Sequence, residues 1–561
     1  MSAAETQKLR AELGAIEQSQ GAAAALAKFD AAAKLHELPA DLWNFAGNIA
    51  MRCGEPHSAA QRFGKAAAID PHSAEYAINQ AIAHSAANDI QAALRALAPH
   101  EAAGAKSARY CSVRANAARN AGDLAQAAQW YDNALTLEPT HLKAMNGRAR
   151  VAIERAEPDA LARFDNALRI DSGNADLWLG KAQSLDVEGD TKGARIIAQQ
   201  LVDQAPNWIE GLRFMAQLRL SGGETDFTAH YRDAAAKVPQ DPNIPFDHIT
   251  QLAALDYAEE AAEVAAHAAR NFPNQPQFQL LEASYAGASG EDERAEGIFA
   301  KLELSTADRN LKEARHRIRR REFDRAQTLL ESALSEDTWS VSAWALLGIV
   351  WRCIDDPRAD WLHEQAGLYG ALPLHDAETA LPPVIALLHR LHDNSPLPLG
   401  QSLRGGSQTR GNLFQRLEPE LATLAEAILA TIGDYQNHWP AADETHPMLR
   451  HRNTPLALAG SWSVRLAGGG DRHASHIHPL GLISSALYLE VPAATDAHDP
   501  MAGWLEIGRP PPDLRLDLEP LAVIEPKPGT LALFPSTLYH GTRPFSDGMR
   551  MTVAFDCVTG E

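Results

Sequence analysis

The sequence predicts a multidomain protein of the α plus β class, with an N-terminal α-helical solenoid and a C-terminal double-stranded β-helix (jelly-roll) domain. Two observations predict this division. The first 360 or so residues are rich in alanine, have apolar residues at helical spacing, and are interrupted by short breaks containing Pro, Asn, Asp or Gly. The C-terminal part instead contains short β-branched or aromatic segments separated by Gly and Pro turns.

The breaks in the helical region recur about every 34 residues. Pro71 and Pro139 lie 68 residues apart, and the later breaks fall at Ser172, Pro206, Pro239 and Pro273. A fixed period of this length is typical of stacked helix-turn-helix units, because a single helix pair cannot bury its apolar face alone.

Small and aromatic residues recur at fixed positions inside these units. The set comprises Trp43, Gly47, Ala59, Phe63 and Ala66, then Ala115, Gly122, Ala127, Tyr131 and Ala134, then Gly147, Ala160, Phe164, Ala167, Gly180, Ala194 and Ala198. The pattern resembles the tetratricopeptide repeat (TPR) family over most of residues 40–360. The resemblance implies a TPR-like helical repeat domain at 1–365, with a groove that recognises a peptide or a partner protein.

Proline and glycine become frequent near residues 365–395, where the helical period ends. We interpret 366–394 as a linker and 395–561 as a separate β domain. After a short helical stretch, RLEPELATLAEAILATIGDYQ, four segments have strand character: SWSVRL, SSALYLEV, GTLALFP and RMTVAFDCV. Such segments are typical of an antiparallel barrel or jelly roll.

Three histidines lie within six residues in HASHIH, residues 473–478. Along a strand, residues i and i+2 point to the same face, so His476 and His478 can offer two imidazole nitrogens on one side. His473, at odd spacing, is not expected to join them. A catalytic metal needs a third ligand, and the next well-placed histidine is His540, just after the apolar segment GTLALFP.

An arginine follows ten residues after His540. In RMTVAFD, Arg550, Thr552 and Ala554 share one face of the predicted strand, and Met551, Val553 and Phe555 share the other. An arginine on the inward face of a barrel strand needs an anion, since an unpaired buried charge is costly.

This order of motifs resembles the iron(II)- and 2-oxoglutarate-dependent oxygenases. It is most similar to a bacterial branch in which HxHP precedes a serine-rich, tyrosine-ended strand and a PxxGxLxLFPSxxxHG block. The resemblance covers roughly residues 395–561 and includes SLRGGSQT at 402–409.

The resemblance implies that His476, His478 and His540 hold Fe(II) and that dioxygen and 2-oxoglutarate are cosubstrates. It also implies that Arg550 binds the far carboxylate of 2-oxoglutarate, with hydrogen bonds from Tyr488 and Thr552. Hydroxylation is the implied reaction. The repeats indicate a protein or peptide substrate, and a small-molecule substrate is an alternative.

One position departs from the family pattern. The usual ligands are two histidines and one carboxylate, whereas His478 stands at the carboxylate position. Three accounts stay open: a working three-histidine centre; a carboxylate supplied by Asp471, Glu490 or Glu506; or a site that binds weakly or takes another metal. Alternatives for the whole protein are a non-catalytic TPR scaffold with a degenerate oxygenase domain, and a three-histidine thiol dioxygenase, against which Arg550 argues.

Other polar and aromatic residues carry weaker signals. Substrate-side candidates are Arg404, Gln408 and Thr409 in a glycine-rich loop and Arg465 on a strand; His446 and His498 are interpreted as structural, and Trp462 and Trp504 as core.

The amino-acid composition restricts the possible binding partners. Lys plus Arg total 51 and Asp plus Glu total 72, so the net charge is 51 − 72 = −21, which disfavours nucleic acid and anionic membrane surfaces. The four cysteines are far apart in sequence, which is typical of reduced thiols in a cytoplasmic protein. The polar N-terminus and the lack of a long apolar run predict neither secretion nor membrane insertion.

Overall fold

The computed structural model describes residues 2–399, 401–492 and 499–560. The chain divides into two compact units, Met1–Ser184 and Leu185–Glu561. None of the described helices combines the length and apolar character needed to cross a bilayer.

Helices make up most of the chain before residue 354. They are α1 Ala3–Gln20, α2 Ala22–Leu35, α3 Ala40–Arg52, α4 Pro56–Ile69, α5 Ala74–Ala86, α6 Ile90–Leu97, α7 Glu101–Gly104, α8 Ala108–Asn120, α9 Leu124–Leu137, α10 Leu142–Glu154, α11 Ala160–Leu168, α12 Ala175–Val187, α13 Thr191–Gln204, α14 Ile209–Ser221, α15 Ala229–Lys237, α16 Asn243–Ala253, α17 Ala258–Asn271, α18 Gln277–Ser289, α19 Asp292–Phe299, α20 Ala307–Arg319, α21 Phe323–Glu336 and α22 Val341–Cys353. The predicted helical repeat region is confirmed.

Aspartates begin the second helix of several repeats. The side chains of Asp89, Asp123 and Asp190 accept hydrogen bonds from backbone N–H groups in the first turns of α6, α9 and α13. Such a cap satisfies a donor that has no partner inside the helix.

Glycines allow neighbouring repeat helices to pack closely. A Cβ added at Gly47 would lie 2.6 Å from the Phe63 ring, and one at Gly147 would lie 2.2 Å from the Tyr131 ring. These aromatic rings therefore fill the space that the glycines leave. Gly122, which the sequence pattern groups with the packing residues, instead lies in the turn after α8 with φ +82° and serves the chain reversal.

The C-terminal part contains antiparallel sheets, as predicted. The strands are β1 Gly370–Pro373, β2 Leu403–Arg404, β3 Ser407–Gln408, β4 Leu456–Leu466, β5 Arg472–His473, β6 Ile483–Glu490, β7 Leu505–Ile507, β8 Ala522–Ile524, β9 Thr530–Pro535, β10 His540–Thr542 and β11 Arg550–Thr559. The main sheet has the order β1-β9-β6-β11-β4-β3, and smaller sheets have the orders β10-β7-β8 and β2-β5.

The stretch 366–394, interpreted as a linker from sequence, contributes to the main sheet and its core. Strand β1 pairs with β9. Helix α23 (Ala377–Asp393) buries Leu381, Val384 and Leu388 in one cluster with apolar side chains of β6, β9 and β11. The remaining helix, α24 (Pro419–Asn437), packs in the same cluster. The domain limits read from sequence stay a prediction.

Candidate metal centre

His476 and His540 are direct neighbours across two backbone segments. The N–H of each donates to the carbonyl of the other, with both N···O distances 3.0 Å. His476 and His478 lie in an irregular segment between β5 and β6, where the sequence predicts a strand. Ile477, between the two histidines, packs in a hydrophobic cluster with Tyr539 and also lines the cavity described below.

The three predicted ligand histidines converge. The Nε2 atoms of His476 and His478 lie 3.0 Å apart. One ligand nitrogen from each of His476, His478 and His540 lies within 4.8 Å of the other two, and in the described part of the chain these three form the one such group of metal-binding residue types. His473 stacks beside His476 at a centroid distance of 5.8 Å and is outside the group, as predicted.

Hydrogen bonds fix which nitrogen of each ring carries the proton. Carbonyl oxygens can only accept, so the Nδ1–H of His476 donates to Ala474 O (2.8 Å) and that of His540 donates to Leu538 O (3.1 Å). The Nδ1 of His478 donates to the Asp556 carboxylate. His476 and His540 therefore direct unprotonated Nε2 atoms away from their backbone partners. The Nε2 of His478 lies 3.0 Å from that of His476, a separation bridged by a proton on one of the two rings or by a cation between them.

Burial keeps the rings of His476 and His540 neutral. Burial is the main cause that lowers the pKa of His476 to about 3, with repulsion from His478 second. Burial likewise holds the pKa of His540 well below its usual value. Near pH 7 these imidazoles can therefore bind a metal without first releasing a proton.

Arg550 is buried beside the histidines, and none of the described residues is an acidic partner for it. It is 3% exposed, its Nη1 donates to Thr542 Oγ1 (2.6 Å), and its Nε has no hydrogen-bond partner among the described residues. Burial lowers its pKa, and within those residues Tyr488 is the group that favours its charge. A guanidinium in this state needs an anionic ligand.

Tyr488 and Thr552 adjoin this arginine. The Arg550 guanidinium lies 5.3 Å from the centre of the Tyr488 ring. In the described part of the chain the buried Tyr488 hydroxyl makes no well-aligned hydrogen bond, and Arg550 is the residue close enough to interact with it. Burial raises the pKa of Tyr488. Thr552 lies on the same face of β11 as Arg550, while Met551 and Val553 join the core, as the alternation predicts.

A cavity of about 580 Å³ contains the three histidines, Arg550 and Thr552. Three convergent imidazole nitrogens suit a divalent transition metal, and the unpaired Arg550 Nε and Tyr488 hydroxyl suit a carboxylate. The residues present therefore fit both groups that the motifs imply.

Comparisons with known proteins agree with this geometry. Residues 460–556 match the family model described as "Putative 2OG-Fe(II) oxygenase", and residues 158–218 match a model described as "Tetratricopeptide repeat". The chain therefore contains a region similar to tetratricopeptide repeats and a region similar to putative 2OG-Fe(II) oxygenases. No curated protein matches it.

Solved structures similar to this chain are helical repeat proteins. Yeast Tom70 is 13% identical, with 59% of this chain and 92% of that chain covered and a TM-score of 0.29. Pseudomonas aeruginosa pilF is 19% identical, with 36% and 93% covered and a TM-score of 0.30. A tetratricopeptide repeat protein from Parabacteroides merdae is 15% identical, with 53% and 92% covered and a TM-score of 0.29.

The carboxylates considered as a third ligand have other partners in the oxygenase domain. Asp471 accepts from Ala467 N, Glu490 pairs with His389, and Glu506 pairs with both Arg509 and Arg543. None belongs to the group formed by the three histidines.

The weaker candidates divide into cavity-lining and structural residues. Gln408 and Trp462 line the cavity, and the Trp462 ring lies 5.5 Å from the His478 ring, so it is not simply core. Arg404 also lines the cavity but pairs with Asp256. Among the other substrate-side candidates, Arg465 pairs with Asp393, and Thr409 Oγ1 accepts a hydrogen bond from Ser463 N. Both ring nitrogens of His446 are hydrogen-bonded to the backbone, which agrees with a structural role. Trp504 is half-buried, and His498 lies outside the described residues.

Sequence reasoning missed two residues of the site. Thr542 holds Arg550, and Asp556 holds His478. Asp556 could have been found, because it continues the 550, 552, 554 series on the inward face of β11. Thr542 lies two residues beyond His540, a signal too weak to single it out.

Proposed function

We propose that the protein is an iron(II)- and 2-oxoglutarate-dependent oxygenase that hydroxylates a polypeptide substrate. The observation that carries this proposal is the convergence of one ring nitrogen from each of three histidines beside a buried guanidinium that has no acidic partner among the described residues, all in one cavity. A purely structural role would leave the buried Arg550 Nε without a partner in that part of the chain.

His476, His478 and His540 would hold the metal, and Arg550 would bind the distal carboxylate of 2-oxoglutarate. When bound, iron with 2-oxoglutarate and dioxygen supplies oxidative decarboxylation to succinate and carbon dioxide, coupled to hydroxylation. Thr542 orients Arg550 by accepting from its Nη1, which leaves the Nε directed to a ligand. The Tyr488 hydroxyl and Thr552 can complete the carboxylate site.

The same residues support specificity for a 2-oxo diacid. Because Arg550 is buried, its interaction with an anion is screened little by water, and a cosubstrate without the distal carboxylate would leave the guanidinium unpaired. A three-histidine thiol dioxygenase would use this charge only for a thiol that carries a carboxylate, and such an enzyme would release no succinate from 2-oxoglutarate.

A second cavity supports a polypeptide substrate. It has a volume of about 1170 Å³ and shares His473–Ile477, Gly541 and Thr542 with the first cavity. Its other side is lined by residues of the helices α16, α17, α18, α20 and α22. This volume exceeds the roughly 300–1,000 Å³ usual for small-molecule sites. We call it the substrate channel.

Several charges along the substrate channel are paired with each other. Asp513 pairs with Arg315 and Arg319, and Lys312 pairs with Asp308. The channel walls therefore do not require a strongly charged ligand, which suits a chain of mixed composition.

Anaerobic titration tests the cofactor part of the proposal. Metal-free protein is titrated with Fe(II) and then 2-oxoglutarate, and the visible charge-transfer band of the chelate is expected at one equivalent of each. Succinate release without any further substrate should follow on exposure to air. Protein that binds no iron and releases no succinate would indicate the non-catalytic scaffold instead.

Separate pools test the substrate class. A tryptic peptide pool and a metabolite pool below about 500 Da are compared for stimulation of succinate release, with the mass gain of one oxygen as readout. Ala288 lines the substrate channel, so Ala288→Trp should narrow the channel and abolish stimulation by peptides. Ala300→Trp, at an exposed site after α19, should leave that stimulation unchanged. Stimulation by the metabolite pool alone would contradict a polypeptide substrate.

A further inference from the structure

Asp556 is the acidic residue held directly against a proposed iron ligand. It lies on the cavity-facing side of β11, and its Oδ1 accepts from the His478 Nδ1–H. Ser484 donates to the same oxygen at 3.5 Å and lies 2.9 Å from the Ser536 hydroxyl. A Cβ at Gly481 would come within 2.7 Å of Ser536 Oγ and 3.4 Å of Asp556, so a glycine there leaves space for this arrangement.

The three ligand histidines differ in what their Nδ1 atoms contact. His476 and His540 donate to neutral carbonyl oxygens, whereas His478 donates to a carboxylate. His478 is also the residue that stands where the related oxygenases have a carboxylate ligand. The Asp556 carboxylate thus lies next to the position of the usual carboxylate ligand, but the His478 imidazole would separate it from the metal.

The physical consequence concerns the charge of the centre. Three neutral imidazoles leave a ferrous ion one unit more positive than two imidazoles and a carboxylate. A carboxylate that accepts the Nδ1–H of a ligating imidazole makes that ring a stronger electron donor and fixes its orientation. Asp556 itself is outside the group of converging ligand atoms in the described residues, so it acts through His478.

We propose that Asp556 is a positioning residue that supplies, through His478, the negative charge which a carboxylate ligand supplies in related centres. This role presupposes the iron site proposed above. It explains how a three-histidine centre can hold Fe(II) while Asp471, Glu490 and Glu506 are engaged elsewhere.

Iron binding tests this role without reference to turnover. Full-length metal-free Asp556→Asn is titrated anaerobically with Fe(II) in competition with a chelator, then saturated with 2-oxoglutarate. Removal of the charge should weaken iron binding about 10- to 100-fold, which is typical for the loss of a ligand's hydrogen-bonded partner. The charge-transfer band should move to shorter wavelength, since a more positive iron donates an electron less easily.

Three comparisons decide the outcome. Asp556→Glu, which keeps the charge, should recover part of the affinity, and Asp517→Asn at an exposed site should match the wild type. Asp556→Ser replaces the asparagine variant if that variant unfolds. Iron affinity within twofold of wild type and an unmoved band in the neutral variants would overturn the role of Asp556 alone, whereas a wild-type protein that binds no iron would overturn the iron site itself.

Discussion

Arg315 in helix α20 donates a hydrogen bond to the hydroxyl of Tyr539 at 2.9 Å, directly beside the proposed ligand His540. The same guanidinium pairs with Asp513 at 2.7 Å. Tyr539 and Ile477 also pack in one cluster with residues of α20, α21 and α22. Both segments that carry the proposed ligand histidines therefore pack against the helical repeats.

Replacing Arg315 should disturb the metal centre from outside it. Arg315→Met leaves the buried Tyr539 hydroxyl without its donor and Asp513 with only Arg319, so we expect a loss of about 1–3 kcal/mol in unfolding free energy. Iron affinity should fall as well, because Tyr539 precedes His540. Urea unfolding and anaerobic iron titration measure the two effects.

A matched control separates local from general effects. Arg232, in the same compact unit, forms an exposed pair with Asp226, so Arg232→Met should change stability by less than about 1 kcal/mol and leave iron binding unchanged. Equal iron affinity in Arg315→Met and wild type would show that the repeats do not support the ligands.

Fragments test how far the oxygenase domain depends on its neighbours. A fragment of residues 395–561 lacks β1, α23 and the helices that cover Ile477 and Tyr539, so it exposes part of two hydrophobic clusters. We expect it to bind a dye for apolar surface and to bind no iron. The fragment 185–561, which corresponds to the second compact unit, should bind iron like the full chain. Iron binding by 395–561 would show that the sequence-derived domain limit is sufficient.

The alternation of a buried strand was the most reliable guide to the site. In β11 the alternation predicts which residues face the cavity, because successive side chains of a strand point to opposite faces of the sheet. Arg550 and Thr552 face the cavity, and Met551 and Val553 face the core.

Long-range contacts could not be read in the same way. The proline-rich stretch 366–394 looks like a linker because proline usually ends helices, yet Pro382 and Pro383 lie inside α23. There the burial of Leu381, Val384 and Leu388 outweighs the local cost. The pair of His478 with Asp556 spans 78 residues, a separation that leaves no trace in a local pattern.

Arg550→Met should maintain or raise the stability of the metal-free protein but weaken the binding of 2-oxoglutarate. In the metal-free protein it replaces a buried, unpaired charge by an apolar side chain of similar length, so stability should be unchanged or higher. In the iron-loaded protein, 2-oxoglutarate should bind at least about 100-fold more weakly, since a charge-assisted contact is lost. Thermal unfolding with and without the cosubstrate measures both effects.

The wild type provides the reference for this variant. At a concentration of 100 times its Kd, 2-oxoglutarate should stabilise the wild type by about 2.7 kcal/mol, and the variant should show little of this gain. Iron affinity should be retained, because Arg550 is not a ligand. A destabilised metal-free variant with unchanged cosubstrate binding would mean that Arg550 has a structural role.

Close packing at a repeat glycine gives a test of the helical region. Gly147→Ala places a Cβ 2.2 Å from the buried Tyr131 ring, and we expect a loss of about 1–3 kcal/mol from overpacking. Gly173→Ala is the control, because nothing lies within 4 Å of its added Cβ. Urea unfolding should separate the two variants, and equal stabilities would contradict this account of the repeat glycines.

Buried histidines outside the metal centre should make the protein sensitive to acid. Burial lowers the pKa of His363 and of His392 to about 3, whereas each ionises near 6.5 in the unfolded chain. The unfolded state then binds more protons between these values, so the unfolding free energy decreases as the pH falls below about 6.5. Each histidine contributes a slope of about 1.4 kcal/mol per pH unit in that window.

Urea unfolding of metal-free protein at several pH values from 7.5 to 4.5 measures this slope. His392 contacts the hydroxyls of Ser407 and Ser463, and His363 contacts that of Thr537, so glutamine can keep a hydrogen bond while removing the titration. The double variant His363→Gln, His392→Gln should reduce the slope by about 2.7 kcal/mol per pH unit, twice the single contribution. His72→Gln at an exposed site should leave it unchanged. A slope equal to that of wild type in the double variant would mean that these two histidines are already protonated in the folded protein.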